Sequence, residues 1–200
     1  MDGLASAVVS ATVDAVVVRA NGAREPLGTV AYWHRSLTRR LIHALGRPGG
    51  GRRRAGVGAL ADLLADRTGA TVLTHAGKAI VTDRIKGAGG AEPSRVGWGT
   101  GAGTAAAGDT GLFAEKDVDL AASSGTRTSG TSSRVTTAQT NDTYQVVGTR
   151  TATGAGTVTN AGLFDSATIG AGAMLMKADF AGIGLAAGDG IEFTFKLQMS

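Results

Sequence analysis

The chain has 200 residues and a mass of 19.9 kDa, which suits one domain, or one domain with a short appendage. Apolar residues make up 42% of it, enough for a packed core, but only 4% are aromatic and 32 positions are glycine. Small residues therefore supply much of the bulk, as in turn-rich β-structure. Cysteine is absent, which excludes disulfides, thiol nucleophiles and cysteine-ligated metal centres.

The net charge of +4 is divided unevenly along the chain. Residues 1–90 hold 13 Lys/Arg against 6 Asp/Glu, whereas residues 91–200 hold 7 against 10. Such a division suggests two surfaces with different partners. No run of 18 apolar residues occurs, and Asp2 stands where a signal peptide would carry basic residues. We therefore expect neither a membrane span nor secretion.

The first 45 residues predict a β-hairpin followed by a short helix. Two runs rich in β-branched residues, Ala11–Arg19 and Leu27–Trp33, flank the pair Asn21-Gly22. This pair tolerates positive φ and favours a tight turn. Over Leu37–Leu45 the apolar residues fall on one stripe, which predicts a helix that ends before Gly46 and Pro48.

A linker and a second helix are predicted next. Residues 46–58, rich in glycine and arginine, predict a linker, and residues 59–70 predict a short helical connector. Thr74 is a suitable N-cap for a helix that extends to Lys86, and Gly87 stands where helices commonly stop.

From residue 71 onward the sequence predicts a β-sandwich, because short strand-like runs alternate with glycine-rich turns. The last run, Ile191–Met199, alternates strictly between apolar and polar residues, as half-buried antiparallel strands do. The predicted fold class is mainly β: an antiparallel β-sandwich over residues 71–200 with one or two short helices and an N-terminal hairpin and helix extension. The predicted strands are Arg95–Trp98, Ser133–Thr140, Asp142–Thr153, Thr157–Phe164, Ala173–Phe180 and Ile191–Met199.

Phosphate-binding glycine motifs are absent despite the glycine content. The segment Gly97–Gly103 never satisfies G-x-G-x-x-G, and Gly77-Lys78 is not followed by Ser or Thr as a P-loop requires. We therefore predict that these glycines serve turns and close backbone packing. No cofactor is expected.

Catalytic and metal-binding patterns are equally absent. His34, His43 and His75 have no metal-ligand spacing, and no serine stands in a G-x-S-x-G motif. Asp117 and Asp119 could form a carboxylate pair on a strand, but a solvated loop is the favoured interpretation, and Asn141–Thr143 predicts a turn before a strand. We expect no catalytic and no metal residues, hence no enzyme.

An arginine cluster in the first segment is the most distinctive positive feature. Arginine binds phosphate in a bidentate manner, so the cluster could contact nucleic acid. No aromatic residues lie within the run, however, and we favour docking on an acidic protein surface over nucleic acid or a merely solvated loop. The candidate subunit-contact residues are Arg39, Arg40, Arg47, Arg52, Arg53 and Arg54.

A series of short motifs carries a family resemblance over about residues 71–200. They are Thr74–Val81, Val96–Gly101, Asn141–Thr149, Thr159–Asp165, Ala173–Ala178 and Gly188–Lys196. In order and spacing these motifs resemble the N-terminal domain of phage tail-collar fibre proteins and small phage structural proteins. Asn160 replaces the acidic residue that often precedes the GLFD strand of the former. Tail-collar fibres also continue into a trimeric shaft, whereas this sequence ends at Ser200.

The resemblance implies a non-enzymatic structural component of a bacteriophage particle. Its expected partners are other virion proteins, capsid or tail subunits, with a homo-oligomeric state and assembly in the host cytoplasm. A capsid-decorating or minor particle protein is the favoured interpretation. The alternative is a tail-fibre or baseplate-type adhesin that contacts the host surface through loops 101–108 and 123–131.

Overall fold

Two antiparallel sheets face each other in the computed structural model, which describes residues 9–32 and 69–199. Sheet 1 contains, in spatial order, β2 (Arg24–Tyr32), β1 (Val9–Val18), β11 (Gly190–Met199), β8 (Thr143–Thr151) and β7 (Thr131–Val135). Sheet 2 contains β3 (Gly69–Leu73), β10 (Met174–Leu185), β9 (Gly156–Phe164), β4 (Arg95–Gly99) and β5 (Glu115–Lys116), and β6 (Thr128–Ser129) pairs with β4. The predicted mainly β, sandwich-like fold is confirmed.

The core lies between the two sheets and follows from the period-2 alternation of their strands. In β11, Phe193 and Phe195 are fully buried, while the polar residues that alternate with the apolar ones are only half-buried. Sheet 2 contributes Trp98, Leu163 and Met176 to the same apolar cluster. A few large side chains therefore fill a core whose other members are mostly valine and alanine.

The predicted hairpin is confirmed, with Gly22 at a φ of +84° in its turn. Its first strand also pairs along its whole length with β11, from Val9 opposite Met199 to Val18 opposite Gly190. The hairpin is thus part of sheet 1 and shares its core, whereas the sequence had suggested an extension outside the sandwich. The predicted helix 37–45, the linker 46–58 and most of the connector 59–70 lie outside the described residues.

The predicted second helix is confirmed as α1 (His75–Lys86). The hydroxyl of Thr74 accepts the Gly77 N–H at 2.8 Å, and Gly87 ends the helix in the left-handed conformation at a φ of +78°. Gly77 lies so close to β10 that a Cβ there would stand 2.0 Å from the carbonyl oxygen of Leu175. This glycine sets how closely the helix approaches the sheet.

Several strand boundaries differ from the predicted ones. The strand predicted over Ser133–Thr140 corresponds to β7, which is shorter and begins two residues earlier. The strand predicted to end at Phe180 continues as β10 to Leu185, beyond an irregularity in its pairing with β9. Gly69 and Ala70, assigned to the connector, already belong to β3. The two-residue strands β5 and β6 were not predicted, because so short a pairing depends on the neighbouring strand and leaves no periodic pattern.

A carboxylate explains why β7 ends early. Asp142 accepts the backbone N–H groups of residues 137, 138 and 139 at 2.8–3.0 Å and the amide of Gln198 at 2.9 Å, so residues 136–142 form a turn. Asn141 takes a positive φ of 60° in this turn. The predicted turn over Asn141–Thr143 is confirmed, and it begins earlier than expected.

Asp142→Asn is expected to destabilise the fold at neutral pH and to matter much less in acid. Burial would raise the pKa of Asp142, but the backbone N–H donors outweigh it and hold the pKa well below the ordinary 3.8. A lowered pKa gives stability that is present above pH 3.8 and is lost as the pH falls through the folded value. Urea midpoints of both proteins should therefore converge below pH 3.8. A difference in urea midpoint between the two proteins that stays constant with pH would contradict this account.

Candidate functional site

The arginine cluster predicted from the sequence lies outside the part of the chain that the structure describes. This applies to all six residues, Arg39, Arg40, Arg47, Arg52, Arg53 and Arg54. Their role as subunit contacts therefore stays a prediction, and the candidate site below is built from other residues.

The aspartates singled out in the sequence lie in a loop, as the favoured interpretation predicted. Asp117 follows β5 and pairs with the buried guanidinium of Arg150 at 3.0 Å. Asp119 accepts the backbone N–H groups of residues 121 and 122. The two carboxylates therefore stabilise their own loop and do not form a joint site.

The glycine-rich segment after β4 packs closely against one aromatic residue. A Cβ at Gly101 or Gly103 would stand 2.8 Å or less from atoms of Phe113. These are packing glycines, as predicted. They bring the segment formed by residues 100–114, called here the covering segment, onto the outer face of sheet 2, the face turned away from the core.

Asn160 fixes the covering segment to this face. Its side-chain amide donates to the carbonyl oxygens of Gly101 at 3.0 Å and Phe113 at 3.1 Å, and its Oδ1 accepts the Phe113 N–H at 3.1 Å. Asn160 is completely buried on β9. An asparagine, which both donates and accepts, satisfies these three backbone groups in a way that a carboxylate could not.

A lysine on β10 lies buried beneath the covering segment. Met176 and Ala178 point into the core, so Lys177 and Asp179, which alternate with them, occupy the outer face of sheet 2. The side chain of Lys177 is completely buried, with Nζ 2.9 Å from Oδ2 of Asp109 and 2.9 Å from the centre of the Phe113 ring. The covering segment thus supplies both the anion and the aromatic ring that enclose the ammonium group.

Asp179 completes a trio of charged residues, in which Lys177 and Asp179 are buried and the Asp109 side chain is 21% exposed. The residue exposure of Asp179 is 8%, its two carboxylate oxygens are inaccessible to solvent, and neither makes a hydrogen bond of normal geometry. The charges of Lys177 and Asp109 both act on it. The backbone N–H of Ala105 also acts on this carboxylate.

The pKa values of the two carboxyls of the trio are shifted in opposite directions. Burial raises the pKa of Asp179 above its ordinary value, and the Lys177 charge and the nearby Ala105 amide oppose this only in part. Burial also disfavours the ionised form of Asp109, but the Lys177 ammonium and the Ala106 N–H outweigh it and lower that pKa. Burial thus opposes ionisation of Asp179, whereas the ion pair with Lys177 favours the ionised form of Asp109.

Two further buried cations fasten loops to the sandwich. Arg127 pairs with Glu115 through Nε at 2.6 Å and stacks 3.5 Å from the Phe164 ring centre. Arg150 donates to Asp117 and to two backbone carbonyls beside Trp98. These contacts hold residues 115–128 in place.

Sequence reasoning missed the trio, although one signal for it was present. In the run Met174–Phe180 a lysine and an aspartate stand two residues apart among apolar residues, which places both on one face of a strand. Charged residues are almost never fully buried without a partner, so this pattern could have indicated a buried pair. Nothing local indicates Asp109, which lies 68 residues from Lys177 in sequence.

No protein-family model, no curated protein and no solved structure matches the chain. Within residues 9–32 and 69–199, no helix has the length and apolar character needed to cross a membrane, and no three acidic, histidine or cysteine residues group as metal ligands would. Fold and site together define a mainly β sandwich with charged residues buried under its loops.

Proposed function

We propose that the chain is a non-enzymatic structural component of a bacteriophage particle that assembles by contact with other virion proteins. The resemblance to phage structural proteins supports this proposal, and so does the use of the buried charges. Arg127, Arg150 and Lys177 each fasten a loop to the sandwich. Loops fixed in this way make the sandwich rigid, which suits a protein that packs against other subunits in a particle.

The outer face of sheet 1 is the observation that carries the proposal. This face presents the residues of β1, β11 and β8 that alternate with the core residues. They are Thr12, Asp14, Val16, Glu192, Thr194, Lys196, Gln198, Gln145, Val147 and Thr149. Its charges are paired within the face: Lys196 contacts Asp14 at 3.3 Å, and Arg24 of β2 contacts Glu192 at 2.6 Å.

A face of this kind suits contact with another subunit. Five strands about 4.8 Å apart, with a rise of about 3.3 Å per residue, span roughly 20 by 30 Å. This is comparable to the roughly 800 Å² per partner that a stable protein interface buries. The threonines and valines of this face lose little conformational entropy on contact, and its paired charges leave no unpaired ion to desolvate. We favour a capsid-decorating or minor particle protein.

The alternative, a tail-fibre or baseplate-type adhesin, rests on loops 101–108 and 123–131. Neither loop contains an aromatic residue. A buried side chain fixes each loop to the sandwich: Asn160 donates to the Gly101 carbonyl of the first, and Arg127 of the second donates to the Ser166 carbonyl. Their exposed members are small, which gives a sugar or protein receptor little to bind. Adsorption of the purified protein to host cells would favour the adhesin.

Localisation in the particle tests the proposal. Phage particles that encode the chain are purified and separated into heads and tails, and each fraction is analysed by peptide mass spectrometry. We expect the chain in the heads. Its presence in tails alone would favour the alternative, and its absence from both fractions would refute a virion role.

Val147→Arg tests the outer face of sheet 1 directly. A long cation at the middle of this neutral face is expected to leave the circular dichroism spectrum unchanged and to remove the protein from particles, because it would be buried unpaired at the contact. Ala79→Arg, on the exposed side of α1, is the matched control and should still be incorporated. Equal incorporation of both variants would exclude this face as the contact.

A further inference from the structure

We propose that the outer face of sheet 1 is a self-association surface, on which a second copy of the chain packs with its β11 antiparallel to the first. This assignment rests on the contact face proposed above and names the partner that covers it. Two features of the molecule carry it: the unequal covering of the two sheets, and the opposite charges on either side of Thr194 in β11.

The two outer faces of the sandwich are covered differently. The covering segment lies over sheet 2 and leaves the Lys177 side chain without exposure, and α1 packs against β10 of the same sheet. Among the described helices and strands, none packs over the outer face of sheet 1. The Lys196 and Glu192 side chains there are 35% and 29% exposed. Sheet 1 is therefore the side of the described sandwich that is open to a partner.

Strand β11 places two opposite charges symmetrically about the middle of this face. It is the third of the five strands of sheet 1, and Thr194 lies near its midpoint. Glu192 stands two residues before Thr194 and Lys196 two residues after it, so the period-2 alternation puts all three on the outer face. At a rise of about 3.3 Å per residue, the acid and the base are about 13 Å apart along the strand.

This arrangement of charges complements itself when the two strands run in opposite directions. Sheets packed face to face stand about 10 Å apart, with strand directions within about 30° of each other. A twofold axis that runs across the strands, between the two faces, makes the two β11 strands antiparallel and brings Glu192 of each copy opposite Lys196 of the other. Asp14, near this axis, keeps Lys196 of its own copy at 3.3 Å. Parallel β11 strands would bring like charges together, which opposes association.

The overall charge of the face favours a second copy over a strongly charged partner. Asp14 balances Lys196 and Arg24 balances Glu192, so the face has no net charge. The arginine cluster of the sequence, or any strongly basic or acidic protein, would find no net attraction there, whereas two copies of the face do not repel each other at long range. The face is also comparable in area to the roughly 800 Å² per partner of a stable interface.

Sedimentation equilibrium of the purified full-length chain tests the proposal. We expect a dimer at about 100 µM, because interfaces of this size give dissociation constants of micromolar or tighter. Val147→Arg, on the same face, should be monomeric, and Ala79→Arg, on the exposed side of α1, should remain a dimer. A wild-type chain that is monomeric at this concentration would overturn the proposal.

Reversed charges test the orientation of the two copies. Glu192→Lys gives a face with bases on both sides of Thr194, and Lys196→Glu gives a face with acids on both sides. Each variant alone should associate roughly tenfold or more weakly than the wild type, whereas an equimolar mixture of the two should form a heterodimer. Unchanged self-association of both variants, or a mixture that stays monomeric, would exclude the antiparallel contact.

These measurements can be read separately from the search for the chain in phage particles. A chain that is monomeric in solution but present in phage heads would leave the structural role intact and assign the face to a different virion protein, against self-association. A dimer with the expected response to the reversed charges would support self-association, even if the chain were absent from particles and the virion role refuted.

Discussion

Arg127→Ala is expected to lower the free energy of unfolding by about 3–5 kcal/mol, the usual cost of removing one partner from a buried ion pair. The arginine side chain is 2% exposed and Glu115 is 10% exposed. The substitution leaves the glutamate charge buried, frees the carbonyl oxygens of Ser166 and Ala171, and removes the stacking on Phe164. Urea unfolding monitored by tryptophan fluorescence measures the change.

Two further variants test whether this loss of stability comes from the Arg127–Glu115 ion pair. Arg134→Ala, which removes an exposed arginine on β7, should change stability by less than about 0.5 kcal/mol. The double variant Arg127→Ala with Glu115→Gln should be more stable than Arg127→Ala alone, because the unpaired charge is gone. If Arg127→Ala proves as stable as the wild type, the pair does not hold the loop.

Gly77→Ala is expected to destabilise the protein by about 3 kcal/mol, at the upper end of the range for overpacking. Alanine normally stabilises a helix by about 1 kcal/mol relative to glycine. Here the added Cβ would overlap the Leu175 carbonyl, which is backbone of β10 and cannot rotate away. Helix α1 must therefore shift off the sheet, and its contacts through Ile80 and Val81 weaken.

The matched control for Gly77→Ala is Gly90→Ala. A methyl group added at Gly90 would meet no atom within 4 Å, and the backbone there has no positive φ, so the substitution should be tolerated. Thermal unfolding monitored by circular dichroism compares the two variants. A melting temperature for Gly77→Ala at or above that of the wild type would show that the close approach of helix and strand is unimportant.

Features encoded by neighbouring residues were predictable from the sequence. Asn21-Gly22 indicated the hairpin, Thr74 and Gly87 bounded the helix, and the alternation in Ile191–Met199 indicated a half-buried strand. In each case one local signal is sufficient, because turn geometry, capping and side-chain period depend on a few adjacent residues.

Features that depend on distant partners were not predictable. Strands β5 and β6 exist because β4 offers hydrogen-bonding positions beside them, and the attachment of β1 to β11 joins residues at opposite ends of the described chain. The trio needed Asp109 to be brought to Lys177 by a segment without regular structure. Such contacts are properties of the tertiary fold, and no periodicity in the sequence marks them.

The pairing of β1 with β11 has a consequence for the way the protein is made. The ten residues of β1 can pair with β11 only after residues 190–199 have been synthesised. Until then sheet 1 lacks its middle strand, and Phe193 and Phe195 are missing from the core. Folding of such a high-contact-order topology is slow and cannot be completed before β11 has been made, so a copy able to join a larger assembly must already contain this strand.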